Sequence, residues 1–195
     1  MSLPLLLIVC YLVGAIPTGV ILTRLAGAGD IRQAGSGNIG ATNVYRVAGR
    51  TLGILTLVGD ALKGVLPVAW AVLAHTYTPW EIAAVAAATF LGHLYPVYLR
   101  FKGGKGVATA LGIFLVLSPL AVLVAFLVFA AILWKWRYVS LASISAAGLI
   151  PLLVAALERS LPLFCATLFI AAMVIVRHRA NLERLRAGTE SRFQA

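Results

Sequence analysis

The sequence predicts an all-α, polytopic membrane helix bundle of about seven transmembrane helices, with the N-terminus outside and the C-terminus in the cytoplasm. Three observations predict it. Hydrophobic residues make up 62% of the 195 and charged residues only 11%, whereas a soluble domain is roughly half apolar and a quarter charged. Apolar stretches of about 18 residues or more recur along the length, each enough for a helix to cross a hydrocarbon core of roughly 30 Å. The basic residues behind the net charge of +10 sit in short segments between those stretches, the pattern that orients membrane proteins. Such a charge in a soluble protein would suggest nucleic acid; this hydrophobicity excludes that class. The size fits a single domain, residues 1–195, with no room for a separate soluble one.

The first span runs from Leu3 to Thr23. No Lys or Arg precedes it, so it lacks the charged start of a secretory signal peptide and is expected to remain in the mature protein. A polar, glycine-rich segment follows from Arg24 to Arg50. Spans at Thr51 to His75 and Glu81 to Tyr98 then form a hairpin about a Thr-Tyr-Thr-Pro turn. The apolar run from Val107 to Trp134 is interrupted by Ser118-Pro119, and further spans are expected at Ser140 to Leu157 and Leu161 to Val176. If the interrupted run is a hairpin, fourteen of the 16 Lys and Arg fall on one side; if it is one helix, the sides hold eight and seven. The positive-inside rule selects the hairpin and the orientation given above. Its first arm, Val107 to Leu117, would be only about 16 Å long, short for a crossing without tilt or thinning.

Cys10 and Cys165 lie inside apolar spans without a spacing motif and read as small core hydrophobes. The three histidines are scattered, and no metal-ligand cluster, internal repeat or low-complexity tail is present. The pattern calls for no cofactor and no metal.

Three polar clusters exceed what joining helices requires. The first, Gly35-Ser36-Gly37-Asn38-Ile39-Gly40-Ala41-Thr42-Asn43-Val44-Tyr45-Arg46, supplies glycines that bring N–H groups close to a ligand, hydroxyl and amide donors, and a planar guanidinium suited to phosphate. A flexible solvated connector is the plainer alternative. Its Gly35-x-Gly37-x-x-Gly40, with Asp60 twenty residues on, superficially matches a dinucleotide-binding fingerprint. That fingerprint needs a strand before it and a βαβ unit around it, and here membrane spans flank it. The second cluster, Arg100-Phe101-Lys102-Gly103-Gly104-Lys105-Gly106, precedes a helix and suits an anion nest in which backbone N–H groups, the helix start and Lys105 meet a phosphate. It is no nucleotide P-loop, since Gly106 stands where Ser or Thr is required. The third, Arg177-His178-Arg179-Ala180-Asn181-Leu182-Glu183-Arg184-Leu185-Arg186, places His178, Asn181 and Leu185 on one face if it is helical. An interfacial helix gripping anionic headgroups explains the same arginines.

Within the second span, Asp60 and Lys63 lie about 14 and 18 Å from its start. Three residues apart, they can pair with each other, and intramembrane charges otherwise carry function. His93 reads as a packing histidine within reach of the cytoplasmic end, and His75 sits at the outer end.

At these residues the sequence resembles the bacterial family of membrane acyltransferases that use acyl phosphate and glycerol 3-phosphate. The likeness spans nearly the whole chain, through Ser36-Gly37-Asn38-x-Gly40-x-Thr42-Asn43, Asp60-x-x-Lys63-Gly64, and His93 to Thr109 with its Lys102-Gly-Gly-Lys-Gly core. It continues through Arg137-Tyr138-Val139-Ser140-Leu141-Ala142-Ser143-Ile144 and Arg177-His178-Arg179-x-Asn181 to Gly188-Thr189-Glu190. The resemblance implies transfer of a fatty acyl group to the sn-1 hydroxyl of glycerol 3-phosphate, giving lysophosphatidate and phosphate, as the first step of phospholipid synthesis at the inner membrane. It implies a catalytic set of Ser36, Arg46, Lys105, His178 and Asn181. Substrate contacts would come from Gly37, Asn38, Thr42 and Asn43 for glycerol 3-phosphate, and from Gly103, Gly104, Gly106 and Ser143 for acyl phosphate. Expected partners are the two substrates, membrane lipids and, in passing, the soluble enzyme that makes acyl phosphate; no nucleic acid is expected.

The chemistry of the residues agrees with this. Phosphate is a good leaving group, so the demanding tasks are orienting the attacking hydroxyl and stabilising the tetrahedral oxyanion. The proton acceptor is either His178, held by Asn181, or a substrate phosphate. A His178-x4-Glu183 dyad is not expected, because helical residues five apart diverge by about 140°. Rival readings are an acyltransferase drawing on acyl-CoA or acyl carrier protein, for which no carrier site is evident, and a lipid or organic-phosphate transporter. The transporter reading has midspan charges and broken helices in its favour, and the one-sided placement of polar motifs against it.

Overall fold

The computed structural model describes residues 1–193 and contains only helices and turns among them. The chain divides into two compact units, residues 1–116 and 117–195. Among the described residues, four helices are long and apolar enough to cross a membrane alone, and up to six spans result if two bent helix pairs each count as one.

In the first unit, α1 (Leu3–Gly14) and α2 (Thr18–Leu25) meet at a 42° bend. The expected continuous span from Leu3 to Thr23 is therefore broken. Pro17 has no N–H to continue the ladder, and it disfavours helical backbone at Ile16 before it. A short 3-10 turn, Ile31–Gln33, leads to α3 (Ala41–Ala48), followed by α4 (Arg50–Leu73) and α5 (Pro79–Leu94). Thr78 and Glu81 form a capping box at the start of α5, satisfying two amides that the first helical turn leaves over. A second 3-10 turn, Val97–Leu99, and a glycine-rich loop precede α6 (Val107–Leu117).

Small residues set the crossings, as expected where lipid offers no hydrophobic drive between helices. A Cβ on Gly14 of α1 would strike the Thr89 carbonyl of α5, and one on Gly92 would strike the Tyr11 carbonyl. The Tyr11 hydroxyl donates to the Tyr95 carbonyl at 2.6 Å beside that crossing. Gly64 on α4 and Gly112 on α6 press in the same way against the backbone of Thr109 and Ala61.

The second unit holds α7 (Pro119–Trp136), α8 (Val139–Glu158), α9 (Leu161–Arg177) and α10 (Arg179–Arg186). The apolar run from Val107 to Trp134 is thus two helices, divided at Ser118, whose hydroxyl donates to Glu158 at 2.6 Å. Helices α9 and α10 meet at a 54° bend, so His178 occupies a junction and is not in the interior of one helix. Cys10 is buried, whereas Cys165 is exposed on α9 and is not a core residue. A helix that is apolar on all sides gives no periodic signal of which face meets lipid.

Candidate active site

The loop before α3 is folded around one side chain. Asn43 is 3% exposed. Its amide nitrogen donates to the carbonyls of Ile31 at 3.2 Å, Ala34 at 3.1 Å and Asn38 at 2.8 Å, and its oxygen accepts from the Ser36 N–H at 2.8 Å. Asn38 turns its own oxygen onto the Gly40 N–H at 2.9 Å. Gly35 and Gly37 adopt φ of +59° and +69°, backbone that side chains with a Cβ avoid. Asn43, expected as a ligand contact, is therefore engaged with the loop backbone. What the loop presents outward is exposed Ser36 and Gly37, half-buried Asn38 and Thr42, and exposed Arg46 in the last turn of α3. At the loop's approach, Asp30 caps the first 3-10 turn. The Arg32 guanidinium and N–H, with Arg24 beyond them, hold the Asp30 carboxyl well below the usual carboxylate range.

The loop before α6 is held from below. The Gly104 N–H donates to the His93 carbonyl at 3.2 Å, so that amide is taken up by α5 and does not aim at a ligand. Gly106 turns at φ +82°, where a Cβ would also collide with the Phe90 ring. The α6 ladder begins with the Ala110 N–H on the Gly106 carbonyl at 2.7 Å. The N–H groups of Val107, Ala108 and Thr109 lie ahead of that first bond, at the positive end of the helix and next to half-buried Lys105. This suits the loop to an anion, with the α6 start in place of Gly104 as its amide source.

Deeper in the first unit, Asp60 and Lys63 form the expected pair, Nζ to Oδ1 at 2.8 Å, with both side chains buried. Lys63 has a second partner that the sequence did not reveal: it donates to the Ile16 carbonyl at 2.8 Å, at the α1–α2 break.

In the second unit, His178 is 2% exposed and its Nδ1 lies 2.8 Å from the Val174 carbonyl oxygen. A carbonyl only accepts, so Nδ1 carries the proton, and a neutral ring keeps its lone pair on Nε2. Glu183 has a side chain 67% exposed and lies 3.9 Å from Arg179. Asn181 donates to Glu190 Oε1 at 2.7 Å, as does Ser140 at 2.7 Å, and Arg184 reaches Glu190 Oε2 at 2.7 Å. Burial acts to raise the Glu190 carboxyl, but the hydrogen bonds from Asn181, Ser140 and Arg184 outweigh it and leave it below its ordinary value. Sequence reasoning missed this knot. The available signal was a lone acid after a run of arginines. Ser143 is buried and donates to the Val139 carbonyl at 2.8 Å, so its hydroxyl must rotate to donate to an anion. Among the described residues, no three His, Cys, Asp or Glu side chains group as a metal site.

Comparison with known proteins places this arrangement. A family model described as glycerol-3-phosphate acyltransferase matches residues 4–188. The chain belongs to the glycerol-3-phosphate acyltransferase family. A relative of that name from Syntrophotalea carbinolica is 63% identical over 194 residues, covering 100% of this chain and 99% of its own. Another, from Geobacter sulfurreducens, is 59% identical over 187 residues, covering 96% of this chain and 95% of its own. A crystal structure of PlsY, an integral membrane glycerol 3-phosphate acyltransferase, in its glycerol 3-phosphate form superposes with a TM-score of 0.95 at 42% identity. Its lysophosphatidic acid form superposes at 0.91, and in both cases 100% of this chain and 96% of the other are covered. This family member is accordingly an integral membrane protein built of helices.

Proposed function

We propose that this chain transfers a fatty acyl group from acyl phosphate to the sn-1 hydroxyl of glycerol 3-phosphate. The products are lysophosphatidate and inorganic phosphate, the first step of phospholipid synthesis. The observation that carries this reading is the superposition on PlsY, whose two forms are named for an acceptor and an acylated product of one transfer. Two glycine-rich cationic loops in the first unit support acyl phosphate as donor, since both reactants then bring a phosphate that needs countercharge. Ser36, Gly37, Asn38, Thr42 and Arg46 would hold glycerol 3-phosphate. Gly103, Lys105 and Gly106, with the amides that start α6 and Ser143, would receive the donor, Gly104 would hold that loop against α5, and Asn43 would contribute by shaping the first loop.

The hydroxyl oxygen attacks the acyl carbonyl carbon, a tetrahedral oxyanion forms, and the bond from that carbon to the phosphate oxygen breaks, releasing phosphate. Arg46, Lys105 and the amides that start α6 are the groups suited to that oxyanion and to the leaving charge. The hydroxyl proton goes to Nε2 of His178 or to a phosphate oxygen. Asn181 serves by fixing Glu190 and the bend that carries His178.

We further propose seven spans, including α6, with the N-terminus outside, the C-terminus and all three polar clusters at the cytoplasmic face of the bacterial inner membrane, and residues 1–195 acting as one domain. The soluble enzyme that makes acyl phosphate is the proposed transient partner. Purified protein in detergent, given both substrates, is expected to form lysophosphatidate and phosphate in equal amounts. Lysophosphatidate formed equally well from an acyl thioester would overturn the donor assignment, and the absence of any product would leave only transport. For His178, a base role predicts that kcat falls about 100-fold or more in His178→Ala and stays low in His178→Gln across pH. Full recovery in His178→Gln assigns the proton to the phosphate.

A further inference from the structure

Below the Gly103–Gly106 loop lies a chain of contacts that the reaction as described does not use. It starts at the Ile16 carbonyl, left outside a helix ladder by Pro17, and passes to Lys63, which donates to it. Lys63 pairs with Asp60. Lys63 Nζ lies 2.8 Å from Asp60 Oδ1, a buried ion pair. The same oxygen lies 3.9 Å from Nδ1 of His93, which is beyond hydrogen-bond length. All three residues are at most 4% exposed.

The other edge of the imidazole meets the loop. A Cβ on Gly104 would collide with His93 Nε2, and one on Gly103 would collide with the carbonyls of His93 and Leu94. The Gly104 N–H rests on the His93 carbonyl. One residue thus supports the loop twice, by its carbonyl and by its ring, and a buried carboxylate stands behind the ring. Isolating two charges from water in a membrane span is costly. A pair whose only task was to neutralise itself would be replaceable by apolar side chains at no loss; this one adjoins both a helix break and a side chain that carries a loop.

We propose that His93 is a positioning residue for the donor loop: its ring, oriented by the Asp60–Lys63 pair, fixes Gly104 and so sets where Lys105 and the start of α6 meet the acyl phosphate. This rests on the assignment of that loop to the donor. Asparagine and glutamine separate the two edges of the ring, because the amide nitrogen of Asn falls near the Nδ1 position and that of Gln near Nε2. His93→Asn keeps the side facing Asp60 and withdraws from Gly104, whereas His93→Gln keeps the side facing Gly104. Steady-state kinetics in detergent should show His93→Asn raising KM for acyl phosphate about fivefold or more, with KM for glycerol 3-phosphate unchanged and His93→Gln within about twofold of the parent. Equal donor KM in the two variants, whether raised or not, overturns the proposal, because a merely structural histidine gives no such split. Lys105→Ala is the companion measurement. If it raises donor KM while the two His93 variants match, positioning alone fails; if it too leaves donor KM unchanged, the assignment of the loop to the donor fails with it.

Discussion

Asn43 shows how a polar residue near a substrate can act without touching one. Its side chain closes the 36–43 loop through four backbone contacts, and a buried group whose partners are removed costs about 1–3 kcal/mol. Asn43→Ala should therefore lower unfolding stability by about 2 kcal/mol or more and raise KM for glycerol 3-phosphate, because Ser36 and Asn38 lose their fixed places. Asn43→Asp should be worse than Asn43→Ala, since it turns an oxygen toward three carbonyl oxygens. Thermal unfolding of the three proteins in one detergent gives the order, and Asp equal to the parent would refute this account of the loop. That Asn43 is important was legible in the sequence; which way its amide faces was not. A motif of small and polar residues specifies both ligand contacts and self-contacts with the same letters, and only the folded loop divides them. Lys63 is similar. Its pairing with Asp60 follows from a spacing of three, but its bond to Ile16 spans 47 residues of sequence and leaves no local trace.

At the scale of elements, hydropathy located every long helix, and polar interruptions located most of the breaks. Ser118-Pro119 was legible as a division; Ile16-Pro17 was not, because Pro is tolerated within membrane helices when neighbours take up the freed groups. Here Lys63 does so. Helix faces were not legible either, as Cys165 shows, since lipid and protein interior favour the same side chains. Glycines carry the missing information. Gly64 on α4 faces the Thr109 carbonyl and the Ile113 nitrogen of α6, whereas Gly148 on α8 has open space about it. Gly64→Leu should therefore part the two helices and destabilise by about 1–3 kcal/mol or more, and Gly148→Ala should be neutral or add about 0.5–1 kcal/mol. Melting temperatures in detergent will separate them. A Gly64→Leu protein as stable as the parent would mean that the α4–α6 crossing is looser than described.

For the whole molecule, the family is settled by likeness over residues 4–188, and what needs testing is the arrangement about the membrane. The positive-inside count predicts that single cysteines at Ser36, Lys102 or Arg186, in a background with Cys10 and Cys165 replaced, react with an impermeant thiol reagent only after cells are opened. A cysteine at Thr76 or Arg159 should react in intact cells. Labelling of position 36 from outside would reverse the orientation. Opposite sidedness at 102 and 186 would instead remove the hairpin that puts α6 across the bilayer.

The knot at Glu190 bears on how such a chain is made. Translation delivers residues in order, so the carboxylate leaves the ribosome after Ser140, Asn181 and Arg184, the three donors it gathers. Until then those donors lack that acceptor, although every long apolar helix has already been synthesised. A variant without the Glu190 carboxylate, such as Glu190→Ala, would keep every long apolar helix and still lack the acceptor that ties these donors together, so having the helices and fastening the histidine-bearing bend are separable.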